Sequence, residues 1–195
     1  MSEQNQSDII KKTTGGLTAA SGFIAAGIAS GIKESQNADL ALLVSDTPCA
    51  AAGTFTQNAI RASSVDWCSQ LLPSESIRAI ICNSGCANAC TGDQGIQDTE
   101  TMASITGKNL NISSKEILTA STGIIGQLLP LDKIEQAMPR LCDTLSRSGS
   151  ENFSKAIMTT DLVPKESAVQ ITLNEQTCFI GGCSKGSGMI HPNMA

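Results

Sequence analysis

A chain of 195 residues has room for one large domain, or one domain with a small lobe, and its 41% hydrophobic residues can supply a core. Aromatics make up only 3%, so that core must be built from Ala, Ile, Leu, Val and Met. A net charge of -5 without a lysine–arginine cluster argues against a nucleic-acid partner, and no apolar run approaches the ~20 residues needed to span a membrane.

Residues 1–14 read as a flexible N-terminal arm, followed by one domain over 15–195. The opening "MSEQNQSDIIKK" lacks the apolar centre of a signal peptide and the arginine-rich character of a transit peptide, which points to a cytoplasmic protein. "GFIAAGIASGIK" suggests strands with bends, because glycine alternates with small apolar residues. Asp39 to Asp46 is a short apolar run bounded by turn formers and reads as a buried strand, with "AAAGTFTQN" paired beside it. "SSVDWCSQLL" fits a helix or a strand, and Pro73 ends it either way. Ile77 to Asn83 reads as another buried strand.

A helix is expected from about Asp93 to Asn109, with Ile96, Thr99, Ala103, Thr106 and Leu110 along one stripe. "EILTAST" reads as a strand, and "GIIGQLLP" as a turn followed by an extended piece. "LDKIEQAMPRLCDTL" reads as a helix with Asp132 available as its cap and Pro139 as a kink point. "SENFSKAIMT" has the flavour of a capping box, and "SAVQITL" with "QTCFIGG" forms a hairpin turning near Asn174 and Glu175. Strands and helices thus alternate with hairpins and longer crossings. That pattern predicts layered α/β architecture, a sandwich with a mixed β-sheet.

Eight cysteines without an export signal suggest reduced thiols. Cys82, Cys86 and Cys90 are four apart, but Asn83, Gly85 and Asn88 are poor residues for the helix that would gather them as ligands. A zinc site also favours CxxC or Cys/His pairs, so no metal is expected. Three loops of small residues, "NSGCANACTG", "ASTGIIG" and "GGCSKGSGM", could present backbone N–H groups to an anion or an oxyanion, although tight turns explain each one taken singly. "GGCSKGSG" is not a nucleotide loop, because Lys185 precedes Gly186 and no helix pattern follows. His191 is the only histidine and stands before Pro192, which suits a structural role better than a Ser-His-Asp site. An acyl-transfer enzyme built on this chain would need its base from elsewhere.

In order, "GGLTAASGFIAAGIASGIK", "DLALLVSDTPCAAAGTFTQN", "RAIICNSGCANACTG", "ASTGIIGQLLPLDKI", "AIMTTDLVPKESAV" and "IGGCSKGSGMIHPNMA" run from Gly15 to Ala195. Together they closely resemble the ornithine acetyltransferase family, also called glutamate N-acetyltransferase, of arginine biosynthesis. The resemblance implies a precursor that cuts itself between an Ala and a Thr, here after Ala195. This chain would be the α chain of the processed enzyme. The implied partner is the β chain, whose N-terminal Thr is the nucleophile, in an α2β2 heterotetramer. A threonine hydroxyl attacks the preceding carbonyl, and water breaks the resulting ester. The freed α-amine has an ordinary pKa of ~7.7–8.0, so it serves as the base with no histidine.

The implied reaction is ping-pong: N-acetylornithine passes its acetyl group to Thr, ornithine leaves, and glutamate takes the acetyl. No cofactor is implied. Acetyl-CoA stays open as a second donor, since some relatives accept it. The family's oxyanion hole maps onto Thr122 and Gly123, its substrate-binding threonine onto Thr159, and its lysine onto Lys185. That lysine would hold a substrate carboxylate and keep the α-amine deprotonated. The structural alternatives are a helix cap for Thr159 and a solvated loop lysine for Lys185. The chain departs from the family at Cys86, where Asn is usual, and at Leu162, where Thr is common. Two other classes share some of these features: a self-processing aminopeptidase or amidase that hydrolyses, and a non-catalytic relative that only binds.

Overall fold

The protein is described here by a computed structural model covering residues 10–187 and 193–194. Four strands form the larger sheet in the order β2-β3-β4-β5: β2 (Phe23–Ile28), β3 (Leu40–Ala51), β4 (Ser74–Cys86) and β5 (Ile117–Ile124). The β2–β3 and β3–β4 pairs are antiparallel, whereas β4 and β5 are parallel. The mixed sheet follows from connectivity: α2 (Gly92–Leu110) crosses from the end of β4 to the start of β5, the connection a parallel pair requires. The smaller sheet is antiparallel, in the order β1-β6-β7: β1 (Ile10–Thr13), β6 (Lys165–Leu173) and β7 (Gln176–Ser184). The β6–β7 turn falls at Asn174 and Glu175, both in the left-handed region, as a tight two-residue hairpin demands.

Alternation along β3 explains the layers. Leu40, Leu42 and Val44 point to one face and pack with Ala79, Ile81 and Ile117 against Met102 and Ala103 of α2 and Ile134, Met138 and Leu141 of α3 (Leu131–Asp143). Ala41 points to the other face and packs with Ala25, Phe153 and Ala156 beneath α4 (Ser150–Ala156). Small residues at positions 25, 41 and 156 let that helix lie close to the sheet. A helical layer thus covers one face of the large sheet. The other face meets α4, with Cys183 of β7 packed against the same cluster.

Several expectations change. Ile10–Thr13, read as the end of the loose arm, pairs with β6. "AAAGTFTQN" is not a strand beside β3; β3 itself runs on to Ala51. The ladder with β4 slips between Val44 and Cys49 and again before Ala51, and Pro48 sits inside the first irregularity, where no ladder donor is needed. "SSVDWCSQL" is a helix, α1 (Ser63–Leu71), docked on β5 through Trp67 Nε1 to Ile117 O (2.9 Å) and the Cys68 thiol to Thr119 O (3.2 Å). The buried face of α2 carries Gly95, Thr99, Met102 and Thr106, and Ile96 is 50% exposed.

Asp132 lies in the first turn of α3 with Pro130 at the cap position. There its charge still complements the positive end of the helix. Ser150 does not close a capping box. It accepts from Leu17 N (2.8 Å) and donates to Glu166 Oε2 (2.7 Å), tying α4 to the chain start and to β6. All eight thiols are free. His191 and Ala195 lie outside the described residues.

Candidate active site

β4 and β5 end side by side, with Ser84 opposite Thr122 and Gly85 opposite Gly123. The carboxyl ends of adjacent parallel strands form a natural binding edge. Gly85 and Gly123 have φ of +107° and +134°, outside the range that side-chain-bearing residues readily adopt. A Cβ on Gly123 would collide with the Gly85 backbone and stand 2.6 Å from Cys86 N, so the two strand ends touch backbone to backbone. The register slips directly after this contact.

The loops beyond the strands are laced together. Ala87 N donates to Ile124 O (2.9 Å), and Gly126 N donates to Ala89 O (2.8 Å). Asn83, fully buried, donates through Nδ2 to Cys86 O (2.8 Å). The Cys86 thiol reaches the carbonyls of Gln127 (3.3 Å) and Leu128 (3.5 Å). Cysteine at this position therefore keeps a link across the loops, though a thiol is a weak donor. Asn88 anchors the same loop to α2, donating to Gly95 O (2.8 Å) and Thr99 Oγ1 (2.9 Å).

These loops wall one side of a cleft of about 1330 Å³, which Thr122, Gly123, Thr159 and Lys185 all line. Three segments far apart in sequence meet there. Asp161 organises another part of the lining. Its carboxylate, 3% exposed, pairs with Lys165 Nζ (2.7 Å) and accepts from Gly186 N (2.7 Å) and Thr159 N (3.3 Å). The hydrogen bond from Lys165, then that from Gly186, holds the Asp161 carboxyl well below the usual carboxylate range. One carboxylate therefore joins the Thr159 segment to the Lys185–Gly186 loop. Thr159 is exposed to the cleft and caps no helix, while half-buried Lys185 donates to Gly186 O (2.7 Å).

Asp161 and Lys33 both line the cleft, and nothing in the sequence singles out either one. Lys33 Nζ donates to Ala38 O (2.8 Å) and to Met158 O (2.7 Å). Its backbone N–H is held by Asp39 Oδ2 (2.9 Å), while Asp39 Oδ1 accepts from Ser30 N and Ser30 Oγ (2.6 and 2.7 Å). The buried Asp39 thus shapes the whole β2–β3 loop. The only sequence signal for either residue was a lone charge beside a glycine or threonine loop, which most solvated charges share. Met194 bridges to Thr56, a residue that lines the same cleft, and Gln57 N donates to Asn193 O (3.0 Å).

Comparison with known proteins agrees with this architecture. The chain is 50% identical over 186 residues to an arginine biosynthesis bifunctional protein ArgJ of a Nostoc species, a match covering 95% of this chain and 45% of the relative. It is 51% identical to the protein of the same name from Thermosynechococcus vestitus, with 95% and 44% covered. The chain therefore spans less than half the length of these curated relatives.

Two crystal structures superpose on it at 38% identity. The arginine biosynthesis bifunctional protein ArgJ of Bacillus halodurans gives a TM-score of 0.89, covering 95% of this chain and 98% of that one. The ornithine acetyltransferase of Mycobacterium tuberculosis, complexed with ornithine, gives 0.87, covering 95% and 100%. The sequence profile of the ArgJ family matches residues 24–195, and this chain belongs to that family.

Proposed function

We propose that this chain is the α chain of a cytoplasmic glutamate N-acetyltransferase that moves an acetyl group from N-acetylornithine to glutamate. A β chain cut from the same precursor after Ala195 supplies an N-terminal threonine, and two copies of each chain assemble. The observation that carries the reading is the convergence of Thr122, Gly123, Thr159 and Lys185 on one cleft at the end of the β4–β5 pair. Membership of a family whose relatives are named for arginine biosynthesis, and likeness to an ornithine-bound acetyltransferase, support the substrate class. Met194 beside Thr56 on the same cleft supports a junction with the nucleophile there.

In this reading the threonine hydroxyl oxygen attacks the acetyl carbon of N-acetylornithine. The α-amine takes the hydroxyl proton and passes it to the departing amine, so ornithine leaves and an acetyl ester forms. N–H groups at the Thr122–Gly123 turn stabilise the negative oxygen of the tetrahedral state. Thr159 and Lys185 hold the amino acid through its polar groups and its carboxylate. Glutamate's amine then attacks the ester carbon, and its proton returns to the threonine oxygen.

The test uses the full-length gene product with acetyl-labelled N-acetylornithine. Label recovered in N-acetylglutamate in proportion to added glutamate supports transfer. Label released as free acetate at a rate indifferent to glutamate makes the protein a hydrolase and overturns the reading.

A further inference from the structure

We propose that Lys33 is a binding and positioning residue of this cleft, supplying a second cation beside Lys185 for the substrate carboxylate while bracing the Thr159 segment against the Gly85–Gly123 turn. The inference rests on the acetyl-transfer reading for the identity of that carboxylate. No role for Lys33 follows from the resemblance to the family; its geometry alone singles it out.

One side chain touches both halves of the site. On one side, a Cβ on Gly85 would stand 3.2 Å from Lys33 Cγ, so the lysine stem lies on the Gly85 backbone. Gly85 in turn is in contact with Gly123. On the other side, Nζ donates to Met158 O (2.7 Å), the carbonyl directly before Thr159. The bond to Ala38 O (2.8 Å) and the grip of Asp39 on the backbone N–H fix where the stem starts and where the head ends. A shift of the Lys33 head therefore moves Thr159 relative to the turn.

The charge is what a purely structural strut would not need. An ammonium has three donors, and the two carbonyls use two of them. Among the described residues no carboxylate lies within ion-pair distance of Lys33 Nζ. Burial lowers the Lys33 pKa, Asp39 opposes the shift, and the charge of Lys185 adds to it. Both half-buried lysines line the same cleft, and like charges there repel unless an anion joins them. A carboxylate entering the cleft relieves that repulsion and receives charge-assisted hydrogen bonds. Asp161 does not meet this need, since it is already engaged by Lys165 and Gly186.

The experiment measures binding of ornithine and of ornithine carboxamide to the full-length protein by calorimetry, in wild type, Lys33→Gln, Lys33→Met and Lys33→Arg. Lys33→Gln keeps donors for the carbonyls and removes the charge. Lys33→Arg keeps the charge. We expect both charge-free variants to weaken ornithine binding about tenfold or more, leave the carboxamide nearly unchanged, and raise KM more than they lower kcat. Lys33→Arg should recover most of the ornithine affinity.

Equal losses for both ligands, no loss for either, or an arginine variant as weak as glutamine would overturn the proposal. So would failure of both charge-free variants to fold, which would make Lys33 a structural residue. Labelled-acetyl transfer followed in parallel reports on the enzyme reading separately. Transfer that persists with unchanged selectivity for the carboxylate in Lys33→Gln removes only the Lys33 inference. Selective ornithine binding without acetyl transfer removes only the proposed reaction.

Discussion

Gly123 shows how much one residue carries. Its φ of +134° and its contact with the Gly85 backbone leave no room for a side chain. With the turn as the proposed oxyanion donor, Gly123→Val should lower kcat by about 10²–10³-fold, a larger loss than any change in ornithine binding, because such a donor acts in the transition state. Steady-state kinetics beside calorimetry checks this; a change in KM alone would make Gly123 a turn residue only. Asp161 acts through its neighbours. Asp161→Asn removes the pair with Lys165 and loosens Thr159 and Gly186 together, so KM for both amino acids should rise several-fold. The pH sign follows from its depressed carboxyl. The stabilisation is complete above the unfolded value of ~3.9 and is lost as pH falls through the lower folded value. Acid titration of wild type should therefore show a loss of stability that Asp161→Asn lacks. Cys82 makes the opposite case. Burial first, then the neighbouring Cys183 and Cys68 thiols, pushes its pKa up to about 12. Brief alkylation of the native protein should label exposed Cys90 and Cys178 and spare Cys82, as peptide mass spectrometry would read.

At the scale of elements, the apolar runs were legible and their margins were not. "DLALLVSD" announces β3 because both faces of that strand are buried. Its continuation through Pro48 to Ala51 depends on a slipped ladder with β4, which is a tertiary fact. The α2 stripe differs from the expected one at Ile96, because apolarity alone does not mark the inner face of this helix. The helix instead turns small and polar residues inward, with Gly95 and Thr99 receiving the Asn88 side chain. The contrast is testable. Met138→Ala on α3, at a fully buried position, should cost about 2–5 kcal/mol. Ile96→Ala should stay within about 0.5 kcal/mol. Chemical denaturation midpoints decide; equal effects would contradict the helix orientations. Only the resemblance of its loops points to the candidate site in the sequence. No spacing rule links Thr122, Thr159 and Lys185, and their meeting depends on α4, the β6–β7 hairpin and Asp161. Lys33 was invisible for the same reason, since its partners Ala38, Met158 and Gly85 come from three segments and contribute only backbone.

The described residues form a helical layer, a mixed sheet, α4 and a small antiparallel sheet. Leu162 is 96% exposed and Ile60, Ile124 and Leu128 are exposed with it, around the segments that line the cleft. Such apolar surface invites a covering partner. With a β chain as that partner, residues 1–195 expressed alone should aggregate and be inactive, and co-expression with the remainder of the precursor should restore both solubility and transfer. Light scattering and the labelled-acetyl assay read the two outcomes, and a soluble, cooperatively unfolding fragment would count against it. The proposed reaction passes through a covalent acetyl-enzyme at this cleft. Intact-mass spectrometry of the full-length protein, mixed with N-acetylornithine in the absence of acceptor, tests it most directly. The expected result is one chain heavier by a single acetyl group, located at the threonine proposed to follow Ala195 and discharged when glutamate is added. No adduct, or an adduct elsewhere that glutamate leaves untouched, would contradict it.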